Sequence, residues 1–325
     1  MPKLALYNPI SAKSAPRVKK EYRLFIGACG SDRRAYQGLS ILAKKARIHS
    51  ALLFEYEERT ASIKGGRGRR QYRRYEKLIP GAGLLSCSVS DRNCAMRSVT
   101  ESVSVLDPSD SVVVDISVFT KPYLFALLRS LQIIGKLSRV QVLYTEPSFY
   151  LKDRSNRWAF TKRPYEVFEL PGYAGRSDES AQRLLVMLLG FDGGEAHWVY
   201  EDQAPTVTVP INGFPSYLLY YKDVSLMENS FLFEEQRTKS LLEYAPANDP
   251  FGTFNALDRI RRKHPRGQYT MTITPLGTKP MALGSALFAL YNDDVRVVYP
   301  MPSRYGLKVS QEVGKTWLYD IPLQP

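Results

Sequence analysis

Two patterns of apolar and polar positions alternate along this chain: short, nearly unbroken apolar runs, and longer segments with helical spacing. The run Thr272-Ile273-Thr274-Pro275 ends at Leu276-Gly277, which delivers Thr278-Lys279-Pro280 to an apolar segment from Ala282 to Leu290, and Val295-Arg296-Val297-Val298-Tyr299 follows. This order predicts a buried strand, a tight turn, a helix opening at Pro280 and a second strand. Proline suits the first helical position because it needs no amide proton there and its ring presets the backbone angle.

The same order occurs earlier. Val112-Val113-Val114-Asp115 runs through Phe119 into Thr120-Lys121-Pro122, a helical segment from Tyr123 to Ile134 and the strand Val140 to Tyr144. The stretches Val140 to Tyr150 and Val295 to Tyr305 agree at six of eleven positions. Upstream, Arg23 to Asp32 and Arg183 to Asp192 are both apolar strands that end in Gly-x-Asp, at Gly30 and Asp32 and at Gly190 and Asp192. Gly30 and Lys121 lie 91 residues apart, Gly190 and Lys279 89. Such spacing marks a tandem duplication.

Strand, helix and strand in alternation imply parallel sheets with helices on their faces. The expected fold class is therefore α/β, with two tandem Rossmann-like units of mostly parallel sheet related by internal duplication. Residues 1–20 read as a basic tail, 21–150 as the first unit and 151–182 as a connector in which 165–170 has the pattern of an edge strand. Residues 183–306 read as the second unit and 307–325 as a C-terminal tail.

Length and composition agree with two domains: 325 residues, 44% of them hydrophobic, suffice for a sizeable core. No apolar run is long enough for a signal peptide or a membrane span, so a cytoplasmic chain with no membrane partner is expected. Three cysteines and three histidines without ligand spacing predict neither a disulfide framework nor a metal site. The formal charge of +13 points to polyanionic partners, phosphates foremost. Charge concentrates in Lys64, Arg67, Arg69, Arg70, Arg73 and Arg74, interleaved with three glycines and Tyr72. This stretch reads as a loop at the carboxyl end of a strand, either solvated or touching phosphate or nucleic acid.

In each unit the glycine turn after the first strand and the Thr-Lys-Pro turn after a later strand are expected at one edge of the sheet. Amides and dipole at a helix N-terminus attract anions, and a lysine in the turn adds a full charge. Lys121 and Lys279 are the leading ligand contacts, with Thr120 and Thr278 as hydroxyl donors, beside Gly30, Gly190 and Gly277. Asp32 and Asp192 suit either helix capping or ribose hydroxyls. Asn212 opens the turn Asn212-Gly213-Phe214-Pro215-Ser216, which stands in the second unit where the first has its basic stretch, and joins the ligand-binding set. Asp115 ends its strand where the second unit has Thr274, so the two half-sites are chemically unequal. If the chain is an enzyme, Asp115 is the candidate acid or base. Gly314-Lys315-Thr316 lacks the first glycine of a phosphate-binding P-loop, and no hydrolase or dinucleotide motif is present. No cofactor is expected.

Gly277-Thr278-Lys279-Pro280-Met281 resembles the Gly-Thr-Lys-x-Met segment of CARF domains, the Rossmann-like sensors of CRISPR-associated proteins. Two such units in one chain resemble the SAVED arrangement of bacterial antiphage signalling proteins. The resemblance implies a sensor that binds a cyclic oligonucleotide in a composite pocket through Thr278 and Lys279 and, by internal repeat, Thr120 and Lys121. Phe119 replaces the motif's glycine in the first unit. No fused nuclease, protease or NAD-cleaving segment is evident, so the expected effector is a separate polypeptide. Two other readings stand beside this one: a nucleic-acid-binding protein using residues 64–74, and a nucleotide-processing enzyme using Asp115.

Overall fold

The computed structural model describes residues 18–30, 32–56, 67–87, 94–107, 109–152, 158, 161–176, 178–234, 238, 240–305 and 310–321; side chains are described there except at 67–71, 94–95, 161–165 and 303–305. The chain forms two compact units, Met1–Tyr150 with Ser310–Pro325, and Leu151–Val309. Both are Rossmann-like.

The first unit contains β1 (Glu21–Cys29), α1 (Arg34–Leu42), β2 (Arg47–Tyr56), α2 (Arg67–Leu78), β3 (Gly83–Cys87), α3 (Cys94–Ser104), β4 (Val112–Asp115), α4 (Lys121–Ile133) and β5 (Val140–Tyr150). The second contains β6 (Thr161–Glu169), β7 (Gln182–Leu188), α5 (Gly193–Gln203), β8 (Val207–Gly213), α6 (Tyr221–Glu228), β9 (Glu243–Ala245), α7 (Pro250–Lys263), β10 (Tyr269–Pro275), α8 (Lys279–Tyr291) and β11 (Arg296–Tyr305). A last strand, β12 (Ser310–Asp320), returns to the first.

The strand orders are β12-β5-β4-β1-β2-β3 and β6-β11-β10-β7-β8-β9. Leaving out the outermost sixth strand, each sheet follows one plan, third-second-first-fourth-fifth, all parallel. The central strands explain why: Val112, Val113 and Val114 of β4 and Leu184 to Leu188 of β7 are buried throughout, as strands covered by helices on both faces must be. The sixth strand is antiparallel in both, β12 on β5 and β6 on β11. The edge-strand pattern near 165–170 corresponds to β6, which extends earlier to Thr161, and the C-terminal segment supplies β12.

One expectation is corrected. The basic stretch is not a loop: from Arg67 it forms α2, while Lys64 lies outside the described residues. Arginine is a good helix former, and Tyr72, Tyr75 and Ile79 recur at helical spacing. Tyr75 is fully buried and donates its hydroxyl to Ala35 O of α1, and Tyr72 donates to Ala82 O at 2.6 Å. Arg73 and Arg74 are exposed.

Candidate functional site

In the second unit the candidate residues gather where the sheet's winding reverses, between β7 and β10. Leu188 pairs with Pro275, and each strand's glycine, Gly190 or Gly277, stands two residues further on. There the backbones touch. A Cβ on Gly190 would lie 2.5 Å from Leu276 O, and one on Gly277 3.3 Å from Leu189 O and 3.0 Å from Met281 Sδ. The carboxyl ends of the strands at such a reversal are where open α/β sheets bind ligands.

Each turn is fastened by side chains. Gly190 O accepts from Asn229 Nδ2 at 2.9 Å and from Ser225 Oγ at 3.2 Å. Asp192 caps α5 by accepting from Glu195 N at 3.4 Å. Thr278 is the N-cap of α8: its Oγ1 accepts from Met281 N at 3.4 Å and donates to Ala247 O, which also receives the Tyr217 hydroxyl at 3.0 Å. The helix therefore starts at Lys279, with Pro280 at its second position, where a missing donor again costs nothing. Lys279 is half-buried and makes an interaction of its own.

Asn212 and Thr274 lie beneath these turns, both fully buried. Asn212 Nδ2 donates to Lys222 O at 3.0 Å, but its Oδ1 and the Thr274 Oγ1 have no hydrogen-bond partner among the described residues. Buried polar atoms are seldom left so, since each unmet group costs about 1–3 kcal/mol.

The first unit has the same layout with different chemistry. Gly27 of β1 pairs with Asp115 of β4, and Gly30 and Thr120 follow at the same edge. Asp32 accepts from Arg34 N at 2.9 Å and holds the Arg34 guanidinium side-on, at 3.2 Å from Nε and 2.8 Å from Nη2. Ser310 Oγ adds a bond at 3.2 Å. Burial works against the charge on Arg34, yet the bond and charge of Asp32 outweigh it and raise the guanidinium pKa above its ordinary value. Asp32 is thus occupied by a buried cation, which sequence reasoning missed although Arg34 stands two residues away.

Thr120 is the N-cap of α4 by backbone geometry only. Its side chain makes no capping bond, its amide donates to Tyr56 Oη at 3.1 Å, and its Oγ1 has no partner among the described residues. Lys121 is half-buried and makes its own interaction. Asp115 is 2% exposed; its Oδ1 accepts from Ser117 N at 2.9 Å and from the Ser117 hydroxyl, and its Oδ2 faces α1 so closely that a Cβ on Gly38 would lie 2.5 Å away. These contacts place the carboxylate inside the fold, close against Gly38 of α1.

Of the basic cluster, only Arg73 and Arg74 have described side chains, both on the outer face of α2. Arg67, Arg69 and Arg70 lie on the same helix. A cavity of about 410 Å³ lined by Ala46, His49, Leu78 and Ile79 lies at the amino end of β2, the edge opposite the candidate turns. Among the described residues no three His, Cys, Asp or Glu are grouped to hold a metal, and no helix is long and apolar enough to cross a membrane.

Two doubly wound sheets, each with a glycine turn and a Thr-Lys-Pro turn at the reversal of its winding, define a tandem Rossmann-like α/β protein. Among solved structures it is similar to a type III CRISPR defence DNA nuclease activated by cyclic oligoadenylate, with a TM-score of 0.51 at 10% identity over 85% of this chain. The match spans 65% of that nuclease's length, and at this identity it shows the fold alone. Weaker likenesses are a universal stress protein from Pseudomonas aeruginosa (TM-score 0.24, 17% identity, 86% of this chain and 94% of that one) and the cytoplasmic domain of a prokaryotic cation chloride cotransporter (0.26, 6%, 88% and 98%). No protein-family model matches the sequence, and no curated protein is similar to it.

Proposed function

We propose that this chain is a ligand-binding sensor of prokaryotic antiviral defence that takes a phosphorylated nucleotide, a cyclic oligonucleotide foremost, at the carboxyl-edge turns of its sheets. The observation that carries this reading is the Thr-Lys-Pro turn, present twice and opening a helix each time at the reversal of a third-second-first-fourth-fifth sheet. The amides, dipole and lysine of such a turn all favour phosphate. The CARF- and SAVED-like motif and the fold of a nuclease activated by cyclic oligoadenylate support the same ligand class. In the second unit the ligand contacts are Thr278, Lys279, Gly277, Gly190, Asp192 and Asn212, the better-equipped set; in the first they are Thr120, Lys121 and Gly30, with Asp32 engaged by Arg34. In this reading a cytoplasmic effector polypeptide reads out the bound state.

The test is native mass spectrometry of the full chain against cyclic and linear oligonucleotides, cyclic oligoadenylates included. Retention of a cyclic member at micromolar concentration is expected, and failure of every member refutes the reading.

A second reading is favoured by α2, whose arginines crowd a helix anchored through Tyr72 and Tyr75. It makes the chain a nucleic-acid binder, with affinity that falls steeply with salt and ignores Lys279.

A further inference from the structure

The carboxyl edge of the second sheet holds two groups of aromatic rings beside the turns. Phe191, next to Gly190, packs edge-on against Tyr221 at 4.9 Å and Trp158 at 5.2 Å, and Tyr221 continues to Tyr220 at 4.8 Å. Beyond it Lys222 Nζ lies 5.7 Å from the Phe214 ring, which meets Tyr244 at 6.1 Å. Lys152 Nζ sits 5.2 Å over Trp158. Tyr221 is buried and anchors the first group, while Phe214, Tyr220 and Tyr244 expose 42%, 51% and 43% of their surface.

These rings join the candidate turns through the backbone. Phe214 follows Gly213, where a Cβ would lie 3.4 Å from Met281 Sδ in the first turn of α8. Phe214 N donates to Ala245 O at 2.8 Å, and Asn212 binds Lys222 O. The exposed rings therefore rim the same edge as Thr278 and Lys279.

Two groups of rings meet here through Lys222, two residues after Tyr220, whose Nζ approaches Phe214, and exposed aromatic rings gathered in this way mark a binding surface. Its cations decide the occupant. Lysine is depleted from the apolar centres of protein–protein contacts, whereas ligands made of bases and phosphates are held by ring faces and cations together. We propose that Phe214, Tyr220 and Tyr244 stack the bases of a ligand whose phosphates lie at the Gly190 and Thr278–Lys279 turns. This rests on the sensor reading and deepens it: the ligand's bases are bound by stacking on these rings rather than by the phosphate turns alone.

The experiment is calorimetric titration of the full chain with a cyclic oligoadenylate and with an abasic ribose-phosphate oligomer of equal charge. Variants are Phe214→Ala, Tyr220→Ala, the conservative Phe214→Tyr and Tyr220→Phe, and Lys279→Ala, each checked for an unchanged melting point. Each alanine substitution is expected to weaken the oligoadenylate about tenfold and leave the abasic oligomer unaffected, while the aromatic exchanges bind like the wild type. Unchanged oligoadenylate binding by both alanine variants, with loss in Lys279→Ala, overturns the stacking surface and leaves the sensor reading intact. Loss in the ring variants with normal binding by Lys279→Ala upholds the stacking surface and overturns the phosphate turn. Equal binding of base-bearing and abasic oligomers by the wild type overturns the stacking surface, and no binding of either overturns both.

Discussion

Thr278 and Thr120 occupy matching positions in two repeats and do different work. The Thr278 hydroxyl caps α8 and bonds Ala247 O, whereas the Thr120 hydroxyl is buried without a partner among the described residues. Thr278→Val should cost about 1–2 kcal/mol in urea unfolding, and Thr120→Val nothing or slightly less than nothing. The matched glycines differ likewise. A Cβ at Gly30 meets nothing within 4 Å, while at Gly190 it collides with Leu276 O. Gly30→Ala should therefore be tolerated, and Gly190→Ala should lower the second unit's melting point. The sequence made these positions findable, because repetition marks them, but their roles depend on neighbours such as Tyr217, Ala247 and Asn229 that no local pattern connects. Tyr22 gives a pH prediction. Burial pushes its phenol up to about 12, so the folded state holds the proton that the unfolded chain releases near pH 10. Its contribution is complete below pH 10 and is lost as pH rises toward 12; Tyr22→Phe should flatten that part of the stability profile.

Among the elements, the central strands and α8 were legible because burial on both faces writes continuous apolar runs. The helix α2 was not, since its dense charge and the glycines at 65, 66 and 68 resemble a loop, and among the described side chains there Tyr75 and, just past the helix, Ile79 are buried, with Tyr72 half-buried. Its arginines separate the two functional readings. If α2 contacts a nucleic-acid backbone, Arg73→Glu with Arg74→Glu should reduce the salt slope of duplex or single-strand binding by about one per lost phosphate contact. If the sensor reading holds, the same double variant binds the cyclic oligonucleotide as the wild type does. Fluorescence anisotropy at several salt concentrations decides between them.

At the scale of the molecule, the duplicated plan was readable from two matching sequences, but the placement of the sixth strands was not. β6 follows β5 in the chain and pairs with β11, while β12 follows β11 and pairs with β5. Antiparallel pairing across such sequence separation leaves only a short apolar pattern behind, here Trp317, Leu318 and Tyr319. Leu318 and Tyr319 are buried against the first sheet, and Trp317 Nε1 donates to Glu146 Oε1 at 2.6 Å. A chain ending before Ser310 should consequently lose protection from hydrogen exchange in β1, β4 and β5 while β7 and β10 keep theirs. Equal loss in both sheets would contradict the division into two units.

The central claim is that the lysine-bearing turns hold the phosphates of a nucleotide ligand. Its most direct measurement is the dissociation constant of a cyclic oligonucleotide retained by the wild type, taken for Lys279→Ala and Lys121→Ala in one buffer. The account predicts a loss of tenfold or more for Lys279→Ala, and a smaller one for Lys121→Ala, without a change in melting point. Unaltered affinity in both variants would contradict it.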